Sequence, residues 1–344
     1  MKKVGMVLEG GGLRGLYTAG VLDTLMENKI KVDGIIGTSA GALFGVNYFS
    51  NQKGRVIRYN KEYAKDKRYM SITSLILTGN YINKNFAYYK VTQELDLFDN
   101  LTFMNTNKEF YAVATDVETG EPEYFRITNP IEQMEELRAS SAIPGITRIV
   151  KIGERKFLDG GVSDSIPIGK AIELGYEKII VVETRQLNYR KPPLTKMQAR
   201  FMKLRYFKYP KFVESLISRY KRYNNVQKDI VEMDKKGKTF TIRPSKNIDI
   251  NIKSRDIKEY QRIYDLGVSD ARVIIEELKE YLKDAEPKKR GRKKKIDKEK
   301  TEPKKRGRKK KTEKTEVKEA PKRRGRPKGS TNKTKKTNKV KADK

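Results

Sequence analysis

Ser39 stands at the centre of Gly37-Thr38-Ser39-Ala40-Gly41, between the short apolar stretch Asp33–Gly37 and the apolar, helix-periodic stretch Ala42–Phe49. A sharp strand-to-helix turn pushes a serine hydroxyl into the open, and glycine on either side lets the chain close up without a Cβ clash. The chemistry this permits is nucleophilic attack on an acyl carbon. Such a serine ordinarily works with histidine, and this chain has no His, no Cys and no Trp. That composition excludes a Ser-His-Asp triad, a cysteine nucleophile, a disulfide framework and a Cys/His zinc site. A base for Ser39 is then a carboxylate held rigidly with close backbone approach. Asp159-Gly160-Gly161, following Lys156-Phe157-Leu158, fits that description, although the same tripeptide also suits a hairpin turn.

A second glycine cluster, Glu9-Gly10-Gly11-Gly12-Leu13-Arg14-Gly15, follows an apolar run and opens a helix. One reading is a dinucleotide-binding Gly-x-Gly-x-x-Gly turn. That fold needs an acid at the end of its second strand, and Asp33 comes before that strand instead. The other reading is an oxyanion hole, in which the unshielded amides of Gly10, Gly11 and Gly12 face the charge of a tetrahedral intermediate. Arg14 would add positive charge there or brace the loop.

These motifs need rigid elements beneath them. Val4–Leu8 reads as a buried strand, Gly15–Glu27 as a helix, and Asp33–Gly37 with Ala42–Phe49 as a second strand and helix. Further strands are expected at Phe110–Thr115, Pro122–Ile127, Lys178–Glu183 and Thr239–Arg243, with helices at Glu132–Ala139 and Ile166–Leu174. Apolar strands alternating with helices predict an α/β fold with a mainly parallel sheet covered on both faces. Two stretches, Arg55–Tyr89 and Tyr189–Tyr223, mix aromatic rings with many basic residues. Each reads either as a partly buried helix pair with a basic face or as a surface for anionic, amphipathic partners such as a lipid headgroup layer.

The Gly-rich loop, Gly-x-Ser-x-Gly and Asp-Gly-Gly, in this order, resemble the patatin-like phospholipase family, in its bacterial form, over about residues 3 to 282. Ala139-Ser140-Ser141-Ala142-Ile143-Pro144, Ala114-Thr115-Asp116 with Thr119-Gly120-Glu121, Tyr223-Asn224 and Gly237–Pro244 extend the likeness. The resemblance implies a three-layer α/β/α fold and a lipid or phospholipid ester hydrolase with a Ser-Asp dyad that needs no histidine, metal or other cofactor. It carries Ser39 over as nucleophile, Asp159 as base and the backbone of Gly10 to Gly12 as oxyanion hole. Ser140, Ser141 and Asp116 carry over as structural residues.

The chain of 344 residues has 77 Lys plus Arg against 44 Asp plus Glu, a net charge of +33. Residues 285–344 hold 29 basic and 8 acidic side chains and no aromatic ring, too little apolar surface to offset the entropy of ordering them. This predicts a globular domain over 1–284 and a disordered basic tail over 285–344. Six of the tail's seven arginines form three Arg-Gly-Arg units, Arg290 with Arg292, Arg306 with Arg308, and Arg324 with Arg326, while its other basic positions include 22 lysines. Reserving Arg for these units suits a narrow A·T-rich minor groove, where two guanidinium groups favour the negative potential and Gly lets the backbone lie on the floor. Arg324-Gly325-Arg326-Pro327 resembles the AT-hook core; the two earlier units carry Lys in place of Pro. Other nucleic acid or an anionic membrane surface are the alternative tail partners. A second reading of the whole chain is a DNA-associated protein that uses the hydrolase fold as scaffold. The apolar run after Lys2-Lys3 stops at Glu9, too short for a secretory leader, and no stretch reaches the length of a membrane span, so the expected location is cytoplasmic, peripheral to a membrane or to DNA.

Overall fold

The computed structural model describes residues 2–285, all within one compact unit. The three Arg-Gly-Arg units and the rest of the expected tail from 286 on lie outside the described residues. Eight strands form one sheet: β1 (Val4–Leu8), β2 (Gly34–Thr38), β3 (Glu109–Asp116), β4 (Pro122–Arg126), β5 (Val150–Ile152), β6 (Arg155–Asp159), β7 (Lys178–Val182) and β8 (Thr239–Ile242). Their order is β5-β6-β3-β2-β1-β7-β8, with β4 also paired to β3. The five strands from β3 to β8 in that order run parallel, and β4, β5 and β6 are antiparallel additions.

Among the described residues ten α-helices accompany the strands: α1 (Gly15–Glu27), α2 (Ala40–Phe49), α3 (Arg55–Tyr63), α4 (Ile72–Thr78), α5 (Asn100–Met104), α6 (Met134–Ser140), α7 (Ile168–Glu173), α8 (Lys196–Arg205), α9 (Pro210–Lys235) and α10 (Ile257–Leu282). A π-helix spans Lys84–Leu95. Successive strand residues point to opposite faces. Met6, Leu8 and Ile35 accordingly pack with Leu16, Phe44 and Ile263 on one side, from α1, α2 and α10. Val7, Ile36 and Val181 pack with Ala171, Tyr223 and Ile230 on the other, from α7 and α9. The α/β architecture with a mostly parallel central sheet is therefore the one expected from the alternating pattern.

β5, β6, α3, α4, α5, α8, α9, α10 and the π-helix have no counterpart among the strands and helices given bounds from the sequence. The basic, aromatic stretch 189–223 folds as α8 and the first half of α9, the helix-pair reading. Its rings divide, with Tyr206, Phe212 and Tyr223 buried while Phe201 and Phe207 stay exposed. α10 packs along α1 because both carry glycine at the crossing: a Cβ on Gly20 would stand 2.1 Å from the Tyr264 carbonyl oxygen, and one on Gly267 2.1 Å from that of Tyr17.

Candidate active site

Register brings Ser39 and Asp159 together. β2 ends with Thr38 opposite Val113 on β3, and β6, running the other way, ends with Asp159 opposite Ala114. Because β4 occupies the far edge of β3 at both positions, β2 and β6 meet end to end along the near edge. Ser39 and Asp159 are the residues at that junction. Ser39 Oγ donates to Asp159 Oδ2 at 2.7 Å.

Ser39 adopts φ 56° and ψ −121° at the start of α2, a conformation that costs a non-glycine residue energy and that the surroundings must hold. Two contacts hold it. The Ser39 N–H donates to Ser140 Oγ at 2.9 Å, and the Thr38 hydroxyl donates to the Asp164 carbonyl at 3.0 Å. Close packing explains the flanking glycines: a Cβ on Gly37 would lie 2.6 Å from the Ala42 nitrogen, and one on Gly41 2.5 Å from the Leu8 carbonyl oxygen.

Asp159 is fixed at its other oxygen, where Oδ1 accepts the Gly161 N–H at 2.7 Å. Its backbone is tied too, with the N–H donating to the Ala142 carbonyl and the carbonyl accepting from the Thr115 hydroxyl, both at 2.9 Å. Asp-Gly-Gly is thus no hairpin turn; it passes from β6 into a 3-10 turn over Gly160–Val162. Burial raises the Asp159 pKa above the ordinary 3.8, opposed by the Ser39 hydrogen bond and the positive charge of Arg219. A carboxylate in that condition is a better base than a solvated one.

The glycine loop lies against Ser39, since a Cβ on Gly10 would stand 3.2 Å from Ser39 Cβ. Gly10's own N–H donates to the Ser165 carbonyl at 3.2 Å and is already committed. The N–H groups of Gly11 and Gly12 have no protein acceptor among the described residues. Asp33, the acid the dinucleotide reading would need, instead accepts the Val4 N–H at 2.9 Å and pairs with Lys108 at 2.8 Å. It braces strand ends. Asp116 similarly caps its turn, accepting the Glu118 and Thr119 amides and pairing with Arg155. Ser141 bonds to the Tyr88 hydroxyl at 2.9 Å.

Behind Ser39 is an apolar cavity of about 120 Å³, lined among others by Leu43, Phe44, Tyr88, Met134, Leu137 and Ile143. Its walls come mainly from α2, α3, α6 and the π-helix. Outside that lining, Arg219 and Lys191 stand close enough to Asp159 to act on its charge, and Arg14 and Arg185 neighbour Lys191; of the four, only Arg14 stood out in the sequence. Lys191 and Arg219 were visible as members of a basic stretch, with nothing to distinguish them from the surface lysines around them.

Residues 6–172 match the family model described as patatin-like phospholipase. These residues carry the likeness to that family. Residues 209–283, which hold all of α9 and α10, match a separate model described as a domain of unknown function, DUF6363. The uncharacterized protein YjjU of Escherichia coli is 32% identical over 186 residues, covering 53% of this chain and 52% of its own length. Lysophospholipase NTE1 of Debaryomyces hansenii is 28% identical over 201 residues, covering 56% of this chain and 12% of its own length. The match thus spans about half of YjjU and a small part of the lysophospholipase. A crystal structure of VipD from Legionella pneumophila overlaps with a TM-score of 0.40 at 12% identity, covering 80% of this chain and 67% of that one. The matched stretch contains Ser39, Asp159 and the glycine loop, whereas Arg185, Lys191 and Arg219 lie beyond it.

Proposed function

We propose that this protein is a serine acyl hydrolase of lipid esters, in which Ser39 is the nucleophile and Asp159 the base. The observation that carries the reading is the 2.7 Å hydrogen bond between Ser39 Oγ and Asp159 Oδ2 in a chain without histidine. Ser39 Oγ attacks the ester carbonyl carbon as its proton passes to Asp159, and the amides of Gly11 and Gly12 stabilise the oxygen that gains charge. Collapse expels the alcohol, which takes the proton from Asp159. Water then gives a proton to the same carboxylate, attacks the acyl carbon, and releases the fatty acid with Ser39 restored. The apolar cavity suits the acyl chain, and the names of the similar lysophospholipases agree with such a substrate.

Access to lipid fits α8. Met197, Phe201 and Leu204 lie at i, i+4 and i+7 and are exposed, and Lys196, Arg200, Lys203 and Arg205 share the same helix. Apolar side chains beside basic ones are what an interfacial helix presents to an anionic headgroup layer. No helix among the described residues is long and apolar enough to cross a membrane.

A fluorophosphonate probe tests the dyad. It should label the full chain on Ser39 and fail to label Ser39→Ala, with Asp159→Asn labelled far more slowly; labelling of Ser39→Ala at the rate of the unsubstituted chain would overturn the assignment. For the tail we propose A·T-rich DNA as partner, on the concentration of arginine in the Arg-Gly-Arg units. Exchanging those six arginines for lysine keeps the charge. It should erase a preference for A·T-rich over G·C-rich duplex, most strongly at Arg324 and Arg326, whereas equal binding of both duplexes by the unsubstituted chain would leave a simple polycation.

A further inference from the structure

Four cations converge beside the dyad with little to neutralise them. Tyr189 and Tyr223 pack edge to face with ring centres 5.9 Å apart. The Arg185 guanidinium lies over the Tyr189 ring at 4.5 Å, and Lys191 Nζ over the Tyr223 ring at 4.8 Å. The Tyr223 hydroxyl donates to Glu9 at 2.8 Å, and Glu9 leads directly into the glycine loop that carries Arg14. Arg219 closes the ring from α9. A Cβ on Gly161 would stand 2.8 Å from the Arg219 Nη2 and 2.9 Å from Asp159 Oδ1, which places the guanidinium next to the base.

Two carboxylates share this space and both are engaged. Glu9 is 1% exposed and accepts from Tyr223 and from the Thr184 amide and hydroxyl. Asp159 accepts from Ser39 and Gly161. Among the described residues none of the four cations forms an ion pair, and the Nε atoms of Arg14 and Arg185 are buried without a hydrogen-bond partner. Burial and the three neighbouring guanidiniums pull Lys191 down to about 7. Like charges held this close, with donors left over, favour an anion among them. The four side chains remain partly exposed, so an anion has access.

We propose that Arg14, Arg185, Lys191 and Arg219 form a phosphate subsite, and that the esters cleaved at Ser39 carry a phosphate monoester headgroup. This rests on the hydrolase reading for the cleavage and on the cation cluster for the headgroup. A phosphate monoester near neutral pH carries between one and two negative charges and three acceptor oxygens, matching several forked donors. A zwitterionic choline headgroup would bring its own positive charge into the cluster, and an uncharged glycerol would leave the donors unsatisfied.

Two measurements on the full chain separate the two readings. In the first, Ser39→Ala is titrated with lysophosphatidic acid, lysophosphatidylcholine, monoacylglycerol and inorganic phosphate. The phosphate monoester lipid should bind at least ~10-fold more tightly than either other lipid, and adding Arg185→Gln or Arg219→Gln should remove most of that advantage. Arg219→Lys should restore part of it. The basic tail is present in every variant, so the difference between variants reports the cluster. Inorganic phosphate matching the lipid in affinity would identify the ligand as free phosphate, and equal binding of all three lipids would overturn the subsite. In the second, the ratio of kcat/KM for the phosphate lipid to that for monoacylglycerol is compared across the same substitutions in the Ser39-containing chain. Hydrolysis with no headgroup preference would sink the subsite and keep the hydrolase; headgroup binding with no hydrolysis of any ester would do the reverse. Melting curves for each variant identify any that fail to fold, and the two single Gln substitutions serve as independent replicates.

Discussion

On one side of Ser39 the chain packs Leu43, Phe44, Met134 and Leu137 around an apolar cavity; on the other, Arg14, Arg185, Lys191 and Arg219 surround two engaged carboxylates. The apolar side is made by residues inside the patatin-like match. Three of the four cations lie after residue 172, on the β7–α8 connection and on α9. The hydrophobic wall comes with the strand-helix units that make the sheet, because their apolar faces must be buried in any case. A cluster of like charge gains nothing from burial and opposes folding unless something else compensates it. Its presence beside the base therefore points to a ligand, and the two sides together describe a molecule with an apolar chain and an anionic end.

The proposed dyad of Ser39 and Asp159 is common to both sides, and breaking it has the largest expected effect. Asp159→Asn should lower kcat by about 10³-fold or more, as removal of one member of a unit that acts together does. The same substitution should raise the thermal midpoint at neutral pH. Burial raises the folded-state pKa of Asp159, so the folded chain holds this proton more tightly than the unfolded chain does. The ionised carboxylate thus costs stability above that raised pKa, and the cost disappears as pH falls through it. A lower midpoint for the Asn variant would contradict this account.

The apolar side is tested next. Leu137→Trp fills the cavity and should cut kcat/KM for long-chain esters about 10-fold relative to butyrate esters, since overpacking costs ~1–3 kcal/mol. Unchanged chain-length preference would mean that the acyl group lies elsewhere. A pH–rate profile adds a smaller effect: the acid limb of kcat/KM should fall at a pH above the ordinary carboxylate value of 3.8, because the active form is the ionised Asp159. A limb at or below that value would assign the base role to another group.

The smallest expected change lies at the surface. Phe201→Glu on α8 should weaken binding to phosphatidylglycerol vesicles several-fold while leaving the melting curve within a degree or so, because the side chain is exposed and its removal uncovers no core. Loss of the folded state would show that α8 holds the fold instead.

Reading the chain residue by residue found the parts whose chemistry is local. β1 and α1 have the bounds their apolar periodicity predicts, and Gly37 and Gly41 announce a tight turn because no larger residue fits there. α10 was not anticipated, although Tyr260, Ile263, Gly267, Ala271, Ile275, Leu278 and Leu282 recur at three- and four-residue steps. Its many charged residues hid that stripe within a polar segment. β6 is five residues long with two basic ones at its start, too short and too polar to announce itself.

The absence of histidine restricted the base to very few groups, and that restriction is a property of composition alone. Which carboxylate lies within reach was decided by register: β2 stops opposite Val113 and β6 stops opposite Ala114, so Asp159 arrives at Ser39 from 120 residues away. Which glycine amides stay open was decided the same way, because the Ser165 carbonyl comes from a distant loop to occupy Gly10. The cation cluster is the fullest case. Arg14, Arg185, Lys191 and Arg219 sit in three separate segments, the glycine loop, the β7–α8 connection and α9, and charge along a chain carries no record of which like charges the fold will bring together. Local spacing determines turns and helices, because their forces act over a few residues. Electrostatic neighbours belong to the tertiary structure, because packing of the apolar faces sets their distances.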